Sequence, residues 1–156
     1  MIARSSGLSL FVVLLFLAIY NAGCMTALQL QHYGIYPSVG RQNFAAYIRA
    51  NNRAAILPTI IPALLLLLSS LTLLVRRPGF VRSYEAVVIL GLNLVALLST
   101  IVWQRPIQGR MTESGYDDAS IRRLIATNWI RTIAHWLIAI LGTIVLIRLV
   151  AVAAHS

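Results

Sequence analysis

Asn128, Arg131, Thr132 and His135 fall at i, i+3, i+4 and i+7, on one face of a helix, within a strongly apolar stretch of the chain. Polar groups are costly in hydrocarbon, and an ionisable residue placed there faces the bundle interior by default and marks a functional site. The chemistry such a stripe supports is the capture of a polar or charged group away from water. Comparable groups recur elsewhere at a similar depth. Asn93, Thr100 and Gln104 fall at i, i+7 and i+11; Asn21 and Cys24 lead on to Gln31 and His32; Asn51, Asn52, Arg53 and Thr59 open another apolar run. Each has a plain explanation alone, since Arg131 can snorkel to headgroups and His135 can bond a neighbouring carbonyl. Four segments bringing such groups to one level point instead to a polar, partly hydrated pocket between helices, with Asn21, Asn93, Arg131 and His135 around it. Trp103 and Trp129 suit interfacial anchoring. Trp136, beside His135, suits either an aromatic wall of the pocket or ordinary packing.

These residues must be carried by membrane-spanning helices. Of 156 residues 59% are hydrophobic and 11% charged, against roughly 25% charged in soluble domains, which excludes a disordered chain and an ordinary soluble domain. About 20 apolar residues cross about 30 Å of hydrocarbon. Four such runs are present, at residues 8–28, 54–75, 86–103 and 125–152. The expected fold is all-α: a single integral membrane four-helix bundle, with a short interfacial helix carrying Phe44, Tyr47 and Ile48 between spans 1 and 2. Residues 104–123 are expected to form a polar connection, with Asp117 or Asp118 capping a last helix longer than the bilayer is thick. Pro58 and Pro62 predict a kinked start to span 2, or a local opening that lines a cavity. Asn21-Ala22-Gly23-Cys24 has the outline of a lipoprotein cleavage box, but Asn21 stands where a branched aliphatic is wanted and the run is long enough to span, so it is kept as a helix.

The net charge is +9, and every basic residue other than histidine is arginine. Most arginines sit between apolar runs, so lipid headgroups rather than nucleic acid are the expected partners. With four spans, Arg4, Arg76, Arg77, Arg82 and Arg148 share one side; Arg41, Arg49, Arg53, Arg105, Arg110, Arg122 and Arg123 share the other. The short Arg76-Arg77-Pro78-Gly79-Phe80-Val81-Arg82 turn, dense in arginine close to two spans, favours cytoplasmic termini. Cys24 has no internal disulfide partner, and no His/Cys cluster or phosphate-binding loop is present, so neither a metal nor a cofactor is expected.

At His32-Tyr33 … Phe44-x-x-Tyr47, at Pro106-Ile107-Gln108 and at Asn128-Trp129-Ile130-Arg131-Thr132, the chain resembles the anthrone-oxygenase-like family of small four-helix membrane proteins and its bacterial relatives. It departs from them at three places. Asn51 and Gln108 stand where relatives often have histidines, and aliphatic residues around Leu66 stand where an acid is common. The resemblance implies cofactor-free oxygenation, in which a base removes a proton from an anthrone and the carbanion reacts with oxygen. His135 would be the base, Arg131 would stabilise the developing enolate, and Trp129 or Trp136 would stack on the ring. The wider set of expected ligand contacts is Asn21, His32, Tyr47, Asn93, Gln104, Gln108, Asn128, Trp129 and Trp136. The residues alone favour a membrane protein whose polar pocket binds a hydrophobic small molecule or lipid, or an accessory subunit of a membrane complex. The oxygenase is the alternative, and a second subunit or a homodimer is the expected protein partner. A bacterial inner membrane is the expected location. A small transporter is disfavoured, because no acid lies in the middle of a span.

Overall fold

A computed structural model describes residues 2–155 of the chain, with side chains from Gly7 onward. Arg4, counted above among the arginines of the terminal side, lies outside the described side chains. The elements are α1 (Ile2–Ala27), α2 (Phe44–Ala54), α3 (Ile61–Val75), α4 (Ser83–Ser99), α5 (Arg105–Ser114) and α6 (Asp118–Ala154), with no strand among the described residues. Four stretches, Gly7–Ser38, Ile56–Val75, Ser83–Ser114 and Asp118–Ala154, are helical, long enough and apolar enough to cross a membrane. The all-α four-helix bundle is thus the observed architecture. In it α1 packs on α3 and α6, and α4 on the same two, so the four spans close a ring.

The ends of the spans differ from expectation. The third run continues helically past Trp103 and Gln104 to Ser114, so the expected connection of residues 104–123 shrinks to residues 115–117. Two local features explain the break. Gly115 takes a left-handed φ of +80°, open to glycine at little cost, and Asp117 caps α6 by accepting from the backbone N–H groups of Ala119 and Ser120. Hydrogen bonds from Ser120 hold the Asp117 carboxyl below its ordinary range. The expected interfacial helix exists as α2, but its aromatic side is turned inward. Phe44 and Ile48 are buried with Tyr33, Tyr36, Ile107, Met111, Ile121 and Leu124 in a cap over the bundle, because α5 and the first turns of α6 extend far enough to meet them.

A second apolar cluster, with Phe11, Leu14, Leu66, Leu73, Ile89, Ile138 and Val145, fills the opposite half. There Gly142 lets α1 and α6 approach closely, since a Cβ at that position would stand 3.0 Å from Leu15 Cδ1. Thr143, one residue further on, is exposed and donates back to the Ala139 carbonyl of its own helix. Arg148 was counted with the interfacial arginines, yet it is paired. Its Nη1 and Nη2 donate to the two carboxylate oxygens of buried Glu85 at 2.7 and 2.9 Å, and Nη2 also to the Phe80 carbonyl at 2.9 Å. Glu85 in turn accepts from the Arg82 backbone N–H at the start of α4. One ion pair therefore ties α6 to the arginine-rich turn between α3 and α4.

Candidate functional site

Three of the four spans change their winding at the polar level. Leu28–His32 after α1, Ile56–Ile60 before α3 and Thr100–Gln104 after α4 are each one π-helical turn. Such turns widen a helix by one residue and are frequent at functional sites. The prolines shape the second of them. Pro62 has no N–H, so the Pro58 carbonyl loses its helical donor, and Tyr20 Oη donates to it at 3.0 Å while Cys24 Sγ lies 3.6 Å away. Neighbours thus satisfy the freed carbonyl, and Pro58, Thr59 and Ile60 line cavities, in keeping with the second of the two readings, a local opening.

Arg131 projects from α6 into this layer. Its Nε donates to Asn128 Oδ1 at 3.0 Å and Nη2 donates to the same oxygen; Nη2 also reaches Tyr33 Oη at 3.2 Å, and Nη1 reaches Thr100 Oγ1 at 3.4 Å. All three partner groups are neutral. Asn128 is fixed in turn by donating to Gln29 Oε1 at 2.7 Å, and Gln29 donates to the Ile125 carbonyl at 3.2 Å. Arg131 and His135, one turn further along, border a cavity of about 120 Å³ with Met25, Thr59, Asn93 and Thr100 and with apolar residues of α3 and α4. His135 is 4% exposed, and its Nδ1 is buried with no hydrogen-bond partner. Asn93 uses its amide hydrogens on Ser70 Oγ at 2.7 Å and the Ile89 carbonyl at 3.3 Å.

A second cavity, of about 500 Å³, lies between the end of span 1 and the start of span 2, lined by Cys24, Gln31, His32, Asn51 and Pro58 among others, and shares Thr59 with the first. His32 sits at 3.2 Å from Tyr36 Oη, which also accepts from Asn51 Nδ2 at 3.3 Å, and its ring stacks near Tyr47. Partial burial pushes the Tyr47 phenol above its ordinary range. Among the described residues no three His, Cys, Asp or Glu side chains converge where a metal ion could be held.

The expected residues therefore divide. Arg131, His135 and Asn93 line the inner cavity, and His32 the outer one. Asn21 is fully buried but lines neither; its amide donates to the Leu17 carbonyl of its own helix at 2.7 Å. Asn128 positions Arg131 instead of lining the cavity. Gln104 turns to α6, donating to Thr127 Oγ1 at 2.9 Å, because the π turn at Thr100–Gln104 breaks the even phase from Asn93. Tyr47 and Gln108 also lie off both cavities. Trp129 and Trp136 are 44% and 47% exposed and face outward; Trp136 Nε1 donates to Thr26 Oγ1 at 2.8 Å, which pins α6 to α1 and leaves it no part in a pocket wall. Tyr33 and Met25 were missed, being aromatic and apolar residues whose approach to Arg131 and the cavity no spacing announces. Thr59 and Thr100 were visible as polar residues in apolar runs. Comparison with family models, with curated proteins and with solved structures finds no match to this chain.

Proposed function

We propose that this is a membrane protein whose inner cavity binds a hydrophobic small molecule or lipid, with the polar end of the ligand held at Arg131 and His135. The observation that carries this reading is Arg131 itself, a guanidinium whose described partners are all neutral, on a cavity where a buried imidazole nitrogen has no partner. A buried polar group without a partner costs about 1–3 kcal/mol, which a ligand group would recover. The same body suits an accessory role in a membrane complex or a homodimer, bilayer lipids covering the rest of its apolar exterior. A bacterial inner membrane with cytoplasmic termini agrees with the arginine density of residues 76–82. The test is mass spectrometry of organic molecules retained by the purified protein. The wild type is expected to retain about one hydrophobic molecule per chain, and Ala63→Phe, which fills the cavity from α3, is expected to lose it. Equal retention by both would overturn the reading.

One observation favours the oxygenase as a second reading: a base and a cation share one cavity, as proton abstraction next to a developing enolate requires. Two observations weigh against it. The outward tryptophans leave the ring without a stacking partner, and 120 Å³ is small beside the roughly 300–1,000 Å³ of pockets for drug-sized ligands. Oxygen uptake on adding an anthrone to wild type but not to His135→Ala would establish the enzyme.

A further inference from the structure

The chain carries two arginines on the inner side of α6, and they are treated differently. Arg148 receives a buried carboxylate, Glu85, in a two-pronged ion pair. Arg131 receives only the amide oxygen of Asn128 and the hydroxyls of Tyr33 and Thr100. These take four of the hydrogen bonds that its five N–H groups can donate, and the remaining one belongs to Nη1, on the side of Thr100, which lines the cavity. A cation in a low-dielectric layer is poorly compensated by neutral dipoles alone, and a carboxylate matches the guanidinium fork best.

The form of the cavity limits what can bring that charge. Its volume equals roughly that of four water molecules at about 30 Å³ each, enough for a small headgroup and the first carbons of a chain. Past that point its walls are Ala63, Leu64, Leu67 and Leu97 of α3 and α4, and Leu64 is 48% exposed on the outer surface of the bundle. The cavity therefore lies close to the apolar outer surface of the bundle along α3. We infer that the ligand is a single-chain amphiphile with a carboxylate head, which enters laterally between α3 and α4, pairs its head with Arg131 beside His135 and leaves its chain among the bilayer lipids. This deepens the binding reading above and rests on it.

Native mass spectrometry of the protein in a neutral maltoside detergent tests it, with dodecanoate, dodecanol, acetate and phosphatidylglycerol offered in parallel. Dodecanoate is expected to bind one to one, about tenfold or more tighter than dodecanol, since a hydrogen bond to a charged group is worth more than one to a neutral group. Acetate at the same concentration is expected not to displace it. Arg131→Gln should bring dodecanoate down to the affinity of dodecanol, Arg131→Lys should keep part of the difference, and Ala63→Phe should abolish both. Equal binding of dodecanoate and dodecanol to the wild type, lost in Ala63→Phe, overturns the carboxylate while leaving the binding reading intact. Displacement by acetate shows a simple anion site, and preference for phosphatidylglycerol shows a two-chain lipid; either overturns the proposal. Binding that Ala63→Phe does not change overturns both readings. The wild-type comparison between acid and alcohol decides the matter even if the arginine variants do not fold.

Discussion

Asn128 accepts from Arg131 through one oxygen and donates to Gln29 through its nitrogen, so a single fully buried amide orders two further polar side chains. Trp129, the next residue, faces outward. The two positions should therefore respond very differently to substitution. Asn128→Ala leaves guanidinium N–H groups and the Gln29 oxygen without partners in a layer with little water, and is expected to lower the unfolding free energy in detergent by about 2–3 kcal/mol. Trp129→Phe, which disturbs no described hydrogen bond, should stay within about 0.5 kcal/mol of the wild type. Thermal or denaturant unfolding followed by circular dichroism separates them, and equal stability of Asn128→Ala and wild type would contradict the positioning role. Asn128 and Arg131 were legible in the sequence as one stripe. Which of the two meets the cavity was not, because three residues along a helix places them on one face without saying which of them reaches a neighbour.

Among the elements, the π turns matter most for where the polar groups point. Spacing along an ideal helix put Asn93, Thr100 and Gln104 on one face; the extra residue wound into Thr100–Gln104 keeps Asn93 and Thr100 at the cavity and turns Gln104 onto α6. Deleting Ile101 should convert that turn to ordinary α-helix and leave everything after it in its present facing, because the π turn already absorbs one extra residue. The expected result is that the packing of Ile107 and Met111 under α2 persists. Hydrogen exchange across α2 and α5 should then stay close to that of the wild type; a marked rise in α2 would refute this. The number of spans and the cap at Asp117 were legible because hydropathy and capping chemistry are local. The continuation of span 3 into α5 was not. Polar residues after Trp103 suggested a connection, whereas the helix persists because tertiary packing of Ile107 and Met111 holds a segment of low hydropathy in place.

On the scale of the whole molecule, the ring of four spans has one aliphatic half, closed by Phe11, Leu66, Ile89 and Ile138, and one polar half capped by α2 and α5. The two halves meet different arginines of the same helix. Arg148, tied to Glu85, belongs to the end with the arginine turn, and Arg131, tied to Asn128 and Tyr33, belongs to the capped end. They are seventeen residues apart, about 25 Å along α6 at 1.5 Å per residue. A typical hydrocarbon core is about 30 Å thick. The arginines are thus two pegs on one rod, set slightly closer than the thickness of the sheet, and each carries its polar surroundings with it: Glu85 for Arg148, and Asn128, Tyr33 and Thr100 for Arg131. Neither guanidinium has to reach the headgroups, so a thicker bilayer leaves no further charge without partners. Melting temperature in nanodiscs should therefore change little as phosphatidylcholine chains are lengthened from 14 to 18 carbons, and a steady fall across that series would contradict it. The protein would, on this account, tolerate membranes of differing thickness.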